Sequence, residues 1–346
     1  MAYTTINKSK DFFDTVLWSS QDTSIDTLNF QPDWAWIKSR TNADGHVLFD
    51  AVRGANKRLT SAGNTAEQTT SDELTAFNSD GYTLGTGDNV NRSGNNYVSW
   101  NWKAGTTGSG NTGGSGTYKT YNYSVNTTAG FSIIKYIGNG TSGHTIPHHL
   151  GATPEWIIIK QLGGTFDWRV YFAAEGNQKI VRLNTNGSSS SGSEFWNNTS
   201  PTSTVFTLGD NTGVNGNDGE YIAYCFAPKA GYSRMGQYSG NGNADGTFVY
   251  TGFKPSVIII KDADNAENWF IFDNKRPGYN LNANHLNPND NTTETNSSAN
   301  TIDILSNGFK MRATNNGINR SGGEGFNYLA IGQSLVGSNN IPATAR

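Results

Sequence analysis

One stretch is written three times along the chain, and this repetition limits the possible folds more than any other feature. It reads Pro32-Asp33-Trp34-Ala35-Trp36-Ile37-Lys38, then Pro154-Glu155-Trp156-Ile157-Ile158-Ile159-Lys160, then Pro255-Ser256-Val257-Ile258-Ile259-Ile260-Lys261. Each copy joins a proline, a short apolar run rich in β-branched and aromatic residues, and a closing lysine. Proline fixes the backbone on entry and the branched and aromatic side chains suit a pleated surface, so each copy predicts a buried strand entered from a turn.

The surroundings repeat in the same order. Downstream come a returning strand (His46–Arg53, Asp167–Phe172, Asn268–Asp273), a polar segment (residues 54–73, 184–203, 280–301), and a closing apolar strand (Tyr97–Lys103, Tyr221–Phe226, Tyr328–Ile331). Val98, Trp100 and Trp102 alternate onto one strand face. Asp80-Gly81 supplies the positive backbone angle of a tight hairpin. Gly-Asn-Gly recurs at Gly138 and Gly240, and Asn91-Arg92-Ser93-Gly94 is spelled again as Asn319-Arg320-Ser321-Gly322. The marker prolines stand 122 and then 101 residues apart, the longer interval holding the Gly/Ser/Thr-rich residues 105–117, which have the composition of a flexible linker. The expected fold is therefore all-β, with three tandem homologous antiparallel β-sandwich units at 10–104, 118–230 and 231–335.

Composition narrows the function. A net charge of −3 without basic or acidic blocks gives no electrostatic support for a nucleic-acid partner or an anionic membrane. No apolar stretch approaches the roughly 20 residues of a membrane span, and the N-terminus has no signal-like apolar core, so synthesis as a soluble cytoplasmic chain is expected. A single cysteine, Cys225, excludes an intrachain disulfide framework.

Several constellations invite a chemical reading. His144, His148 and His149 lie within six residues, but nothing elsewhere completes a metal site and the third unit has no matching histidine, so a turn is the better reading and no metal is expected. The loops containing Asp88 and Asn91, and Asp210 and Asp218, resemble oxygen-rich calcium loops, although they lack the closing Glu and regular alternation; they are calcium candidates, and turn-forming segments otherwise. Trp100 and Trp102 could stack on a sugar, but their counterparts Tyr224 and Phe226, and Ile331 and Gln333, favour a core position. Trp196, in Ser193-Glu194-Phe195-Trp196-Asn197, has no match in the other units and is either a satellite anchor or a contact residue. With Phe195, Tyr279 and His285 it forms the candidate binding set, drawn from the divergent segments and their borders. No nucleophile elbow, zincin spacing or phosphate loop occurs, and a non-enzymatic protein without cofactor is expected. A glycosidase carries no such signature, so a polysaccharide depolymerase stays as a lesser alternative.

Phe30-Gln31-Pro32-Asp33-Trp34-Ala35-Trp36-Ile37-Lys38, Phe49-Asp50-Ala51-Val52-Arg53-Gly54, Phe77-Asn78-Ser79-Asp80-Gly81 and Ser99-Trp100-Asn101-Trp102-Lys103-Ala104 resemble a family of tailed-phage virion proteins common in marine phages. Ile146-Pro147-His148-His149-Leu150-Gly151 is similar to the Pro-His-Gly-Leu-Gly turn of phage tail-fibre modules, with His149 in place of glycine. The resemblance covers nearly the whole chain. It implies a structural protein on the virion surface, a tail fibre or receptor-binding appendage contacting a host receptor of glycan type. It also implies other virion proteins as partners and a homo-oligomer, trimers being common among such appendages. It implies no catalytic residues. The chain enters its first sandwich within about ten residues, which leaves no room for a separate attachment domain and keeps a capsid decoration or head-appendage role open. The divergent polar segments on a repeated scaffold suit recognition, a reading that loses its support if the three are far apart and disordered.

Overall fold

The computed structural model describes residues 4–20, 23–322 and 325–336. The fold is all-β and every strand pair is antiparallel; the α-helices are four-residue turns such as Asp88–Asn91 and Thr212–Asn215.

The marker strands Trp34–Ser39, Trp156–Gln161 and Phe253–Asp262 hold the same place in three sheets. Each pairs on one side with its returning strand, Val47–Asp50, Arg169–Phe172 or Trp269–Asp273. On the other side each pairs with the closing strand, Asn96–Trp102, Glu220–Phe226 or Gly325–Ser334. Register sets Trp36 opposite Trp100, Ile158 opposite Tyr224 and Ile259 opposite Leu329. A separate three-stranded sheet, such as Ser24–Ile25, Leu74–Asn78 and Gly81–Leu84, accompanies each large sheet.

Alternate residues of each marker strand enter different cores, because both faces of the large sheets are buried. Ala35 and Ile37, Ile157 and Ile159, and Ile258 and Ile260 pack into three separate clusters, each private to one unit. Trp34, Trp36, Trp156, Ile158, Val257 and Ile259 all enter one cluster shared by the three units. Its rings meet across unit boundaries: Trp34 stacks on Tyr224 with centroids 4.3 Å apart, and Trp156 on Trp269 at 6.1 Å. The units are therefore joined around a common centre.

The contacts close into a ring. The Glu67 N–H donates to Leu162 O (2.8 Å), Ser189 to Ala263 (2.6 Å) and Glu294 to Arg40 (2.9 Å). In each case the acceptor lies two residues beyond the marker lysine, and the donor comes from the polar segment of another unit. Unit 1 thus grips unit 2, unit 2 grips unit 3, and unit 3 grips unit 1. Indoles repeat the pattern in reverse: Trp168 Nε1 donates to Thr60 O (2.8 Å) and Trp269 Nε1 to Arg182 O (2.9 Å). At the matching register His46 faces the Asn287 backbone. The Tyr224 hydroxyl donates to Asp50 (2.7 Å) and Trp100 Nε1 to Asp273 (3.2 Å).

Residues 105–117 correct the linker expectation. Thr106–Asn111 is an edge strand paired with Thr120–Asn126, and Gly113–Gly114 pairs with the strand containing His144. The glycines are required by close approach: a Cβ on Gly108 would lie 2.6 Å from Tyr123 Oη, and one on Gly110 2.7 Å from Tyr121 Oη.

Candidate functional site

Each polar segment contributes to a short strand pair at a unit junction: Lys57–Thr60 with Gln68–Thr69, Lys179–Ile180 (just before the second segment) with Ser190–Ser191, and Asn284–His285 with Thr295–Asn296. The segments are ordered and distributed around the ring, one to each junction.

Trp196 and Phe195 are not contact residues. They lie on a short helix, Ser193–Trp196, only 1% and 5% exposed, inside the private core of unit 2. Trp196 Nε1 donates to Lys179 O (2.9 Å), and the Arg169 guanidinium covers the Phe195 ring at 5.3 Å. The Trp196 indole has its hydrogen-bond partner inside the fold, so its burial favours the anchor reading over the contact reading.

His285 is also buried, with its ring 5.2 Å from Phe270 and 5.8 Å from Phe272. Burial holds its pKa down to about 4, so the imidazole is neutral at physiological pH. Its Nδ1 lies 3.4 Å from Ala283 O and its Nε2 3.4 Å from Asn300 Nδ2. Tyr279 differs from the other three in being 72% exposed.

One wall residue, His285, belongs to an open cleft of about 310 Å³ between the 280–301 segment and Asn186 of unit 2. Asn268, Asn287, Asn300 and Asn315 bring amides to it, and its lining is almost wholly polar. The corresponding slots in the other units each hold one arginine. Register sets Arg169 where unit 3 has Phe270, and Arg58 where unit 3 has His285. Arg58 donates to Glu73 at 2.5 Å and also to Gln68.

Residues 8–334 match a domain of unknown function, DUF7483. The chain belongs to the DUF7483 family. No curated protein and no solved structure matches it.

The DUF7483 loops rich in Asn, Asp and Gly serve their own backbone. Asn91, Asn215 and Asn319 end equivalent helical turns, and each donates from Nδ2 to the carbonyl six residues earlier, Gly85, Gly209 or Ala313. Asp88 pairs with Arg92 at 3.1 Å and Asp218 with Lys119 at 2.6 Å, while Asp210 is exposed. The calcium candidates do not converge. Among the described residues no group of three or more His, Cys, Asp or Glu is arranged to hold a metal. The three clustered histidines part company as well. His144 is held between Asn215 Oδ1 (2.8 Å) and Thr112 Oγ1 (2.7 Å), His148 lies 3.1 Å from Thr202 O, and His149 stacks on Tyr123 at 3.7 Å.

Two features of the DUF7483 fold escape sequence reasoning. The closing lysines Lys38, Lys160 and Lys261 are fully buried, and burial pushes each pKa down to about 8. Each Nζ donates to the next carbonyl and to the one four residues on: Ser39 and Asn42, Gln161 and Gly164, Asp262 and Asn265. The only available signal was the threefold recurrence of lysine at a strand end. The second feature is a pair of buried ion pairs, Arg53 with Asp50 (2.5 Å) and Arg276 with Asp273 (2.6 Å), each at a unit junction.

Proposed function

We propose that this chain is a non-enzymatic structural protein of a phage virion, displayed on the particle surface and contacting the host envelope through glycan. The observation that carries this reading is the contrast between scaffold and segments. Three sheets join through equivalent backbone bonds, whereas the segments making those bonds share no sequence and one of them borders an open cleft. A rigid frame whose divergent segments also reach the surface, as at the cleft, suits recognition. The sequence resemblance to marine-phage virion proteins supports the same reading.

A second reading, decoration of the capsid shell, draws support from the ring itself. One chain supplies three similarly placed sheets around a shared core, an arrangement that fits a seat on a three-fold position of a shell.

The test is binding of fluorescently labelled protein to host cells, with purified empty capsids as the parallel target. Saturable binding to cells that competes with phage adsorption is expected. Binding to capsids alone would replace the host-contact reading with the decoration reading.

A further inference from the structure

We propose that the cleft of unit 3 is a site for one neutral, hydroxyl-rich sugar residue. This deepens the host-contact reading and rests on it for its biological source, although the site itself is argued from the cleft. At about 310 Å³ the cavity lies at the small end of the range for ligand pockets, about 300–1,000 Å³, which suits a single ring better than an extended chain.

The wall chemistry sets the class. Each asparagine amide offers both a carbonyl acceptor and an N–H donor, and a sugar hydroxyl is also both. Asn287 Oδ1 and Asn315 Nδ2 bring an acceptor and a donor to one cavity, while the rest of the amide lining is held in place by bonds to the protein: Asn268 to Asp290 and Asn289, Asn287 Nδ2 to Trp269 O, and Asn315 Oδ1 to Gly317 N–H.

Charge argues against an acidic ligand. His285 is neutral, and Glu267, at the rim, is bonded to Arg320 (2.7 Å). Among the described residues lining the cleft none is cationic at neutral pH, so nothing there would pair with a sialic acid carboxylate or a phosphate.

The same slot in the sister units gives the third strand of the argument. There Arg169 lies over Phe195, and Arg58 is bonded to Glu73 and Gln68. At these two positions unit 1 holds Val47 and Arg58, unit 2 Arg169 and Ile180, and unit 3 Phe270 and His285, so each sister slot carries one arginine and the slot of unit 3 none.

The experiment is saturation-transfer NMR on the full chain. The probes are the methyl glycosides of glucose, galactose, mannose and N-acetylglucosamine, with N-acetylneuraminic and glucuronic acids as charged counterparts. The variants are Asn300→Arg, which restores a guanidinium to the slot, and Asn186→Trp, which blocks it from an exposed position on the neighbouring unit. Transfer from at least one neutral glycoside is expected, falling by about tenfold or more in either variant as steric blockage removes the hydrogen bonds. If Asn300→Arg fails to fold, Asn186→Trp decides alone. Transfer only from the acids, no transfer from any neutral glycoside, or equal transfer in Asn186→Trp would overturn the proposal. Host-cell binding is scored in parallel. Cells bound equally by wild type and Asn186→Trp would remove the cleft but leave host contact standing. Glycoside transfer lost in the variants, with no cell binding by either protein, would retain the cleft and remove host contact.

Discussion

The two faces of the large sheets solve the same burial problem differently. On the private face, residues such as Ile157, Ile159 and Phe206 pack within one unit against its own small sheet. On the shared face, rings from all three units meet, and polar atoms come with them: the Trp100 and Trp168 indoles, the Tyr224 hydroxyl and the Asp50 and Asp273 carboxylates bond across unit boundaries. Aliphatic packing fills space but tolerates sliding, whereas a hydrogen bond between buried groups fixes which partner sits where. The private faces thus make each unit a sandwich, and the shared face orders the three sandwiches into one body.

Breaking a junction pair should therefore cost more than any change on a private face. Asp50 accepts from Arg53 Nε (2.5 Å) and from the Tyr224 hydroxyl (2.7 Å), with both charged side chains fully buried. Asp50→Ala would leave a guanidinium paired only to Glu67, at 3.2 Å, and is expected to destabilise the chain by about 3–5 kcal/mol. Denaturation followed by tryptophan fluorescence and by far-UV circular dichroism checks this. The expected result is one transition, shifted as a whole. A separate early transition of unit 1 would mean that the shared face does not couple the units.

What was legible in the sequence follows from that division. Strand positions could be read because their apolar runs are local, and the Asp80-Gly81 hairpin because only glycine fits it: a Cβ on Gly81 would lie 1.6 Å from Ile25 O. Val98, Trp100 and Trp102 were rightly put on one face, but alternation cannot say that this face meets two other units. Residues 105–117 misled because glycine that accommodates a tyrosine ring looks in composition like glycine that confers flexibility. The polar segments misled because their junction bonds use backbone N–H groups, which every residue type except proline carries. Within the candidate set, Trp196, Phe195 and His285 are drawn inward by contacts remote in sequence, and only Tyr279 is at the surface.

The marker lysines sharpen the comparison, since one of them also reaches across a junction. Lys160 bonds only carbonyls of its own turn, whereas Lys261 Nζ also lies 3.4 Å from Asn186 O of the neighbouring unit. Replacement by Met leaves buried carbonyls without a donor, at about 1–3 kcal/mol in each case, with Lys261→Met the more costly. The pH dependence has a definite sign. Folded lysine titrates at about 8 and unfolded lysine at about 10.4, so between these values the unfolded chain holds more protons. Stability from these groups should rise as pH increases from about 8 towards 10, where buried tyrosines such as Tyr82 and Tyr136, held above their ordinary value by burial, begin to reverse it. Thermal melts across that window should give a rising midpoint in wild type and a shallower rise in Lys160→Met. A falling wild-type midpoint would mean that the carbonyl acceptors keep the lysines charged.

The smallest effect belongs on a private face. Trp196→Phe retains most of the ring against Tyr171, now 5.5 Å between centroids, but removes the donor to Lys179 O. A loss of about 1–2 kcal/mol is expected, combining one hydrogen bond with a modest packing defect. Because this indole lies in the core of unit 2 and away from the shared centre, its loss should add to that of Asp50→Ala within about 0.5 kcal/mol in the double variant. Strong non-additivity would mean that the private and shared faces communicate through the sheet between them. Unchanged stability with weakened host-cell binding would return Trp196 to the surface role that its burial argues against.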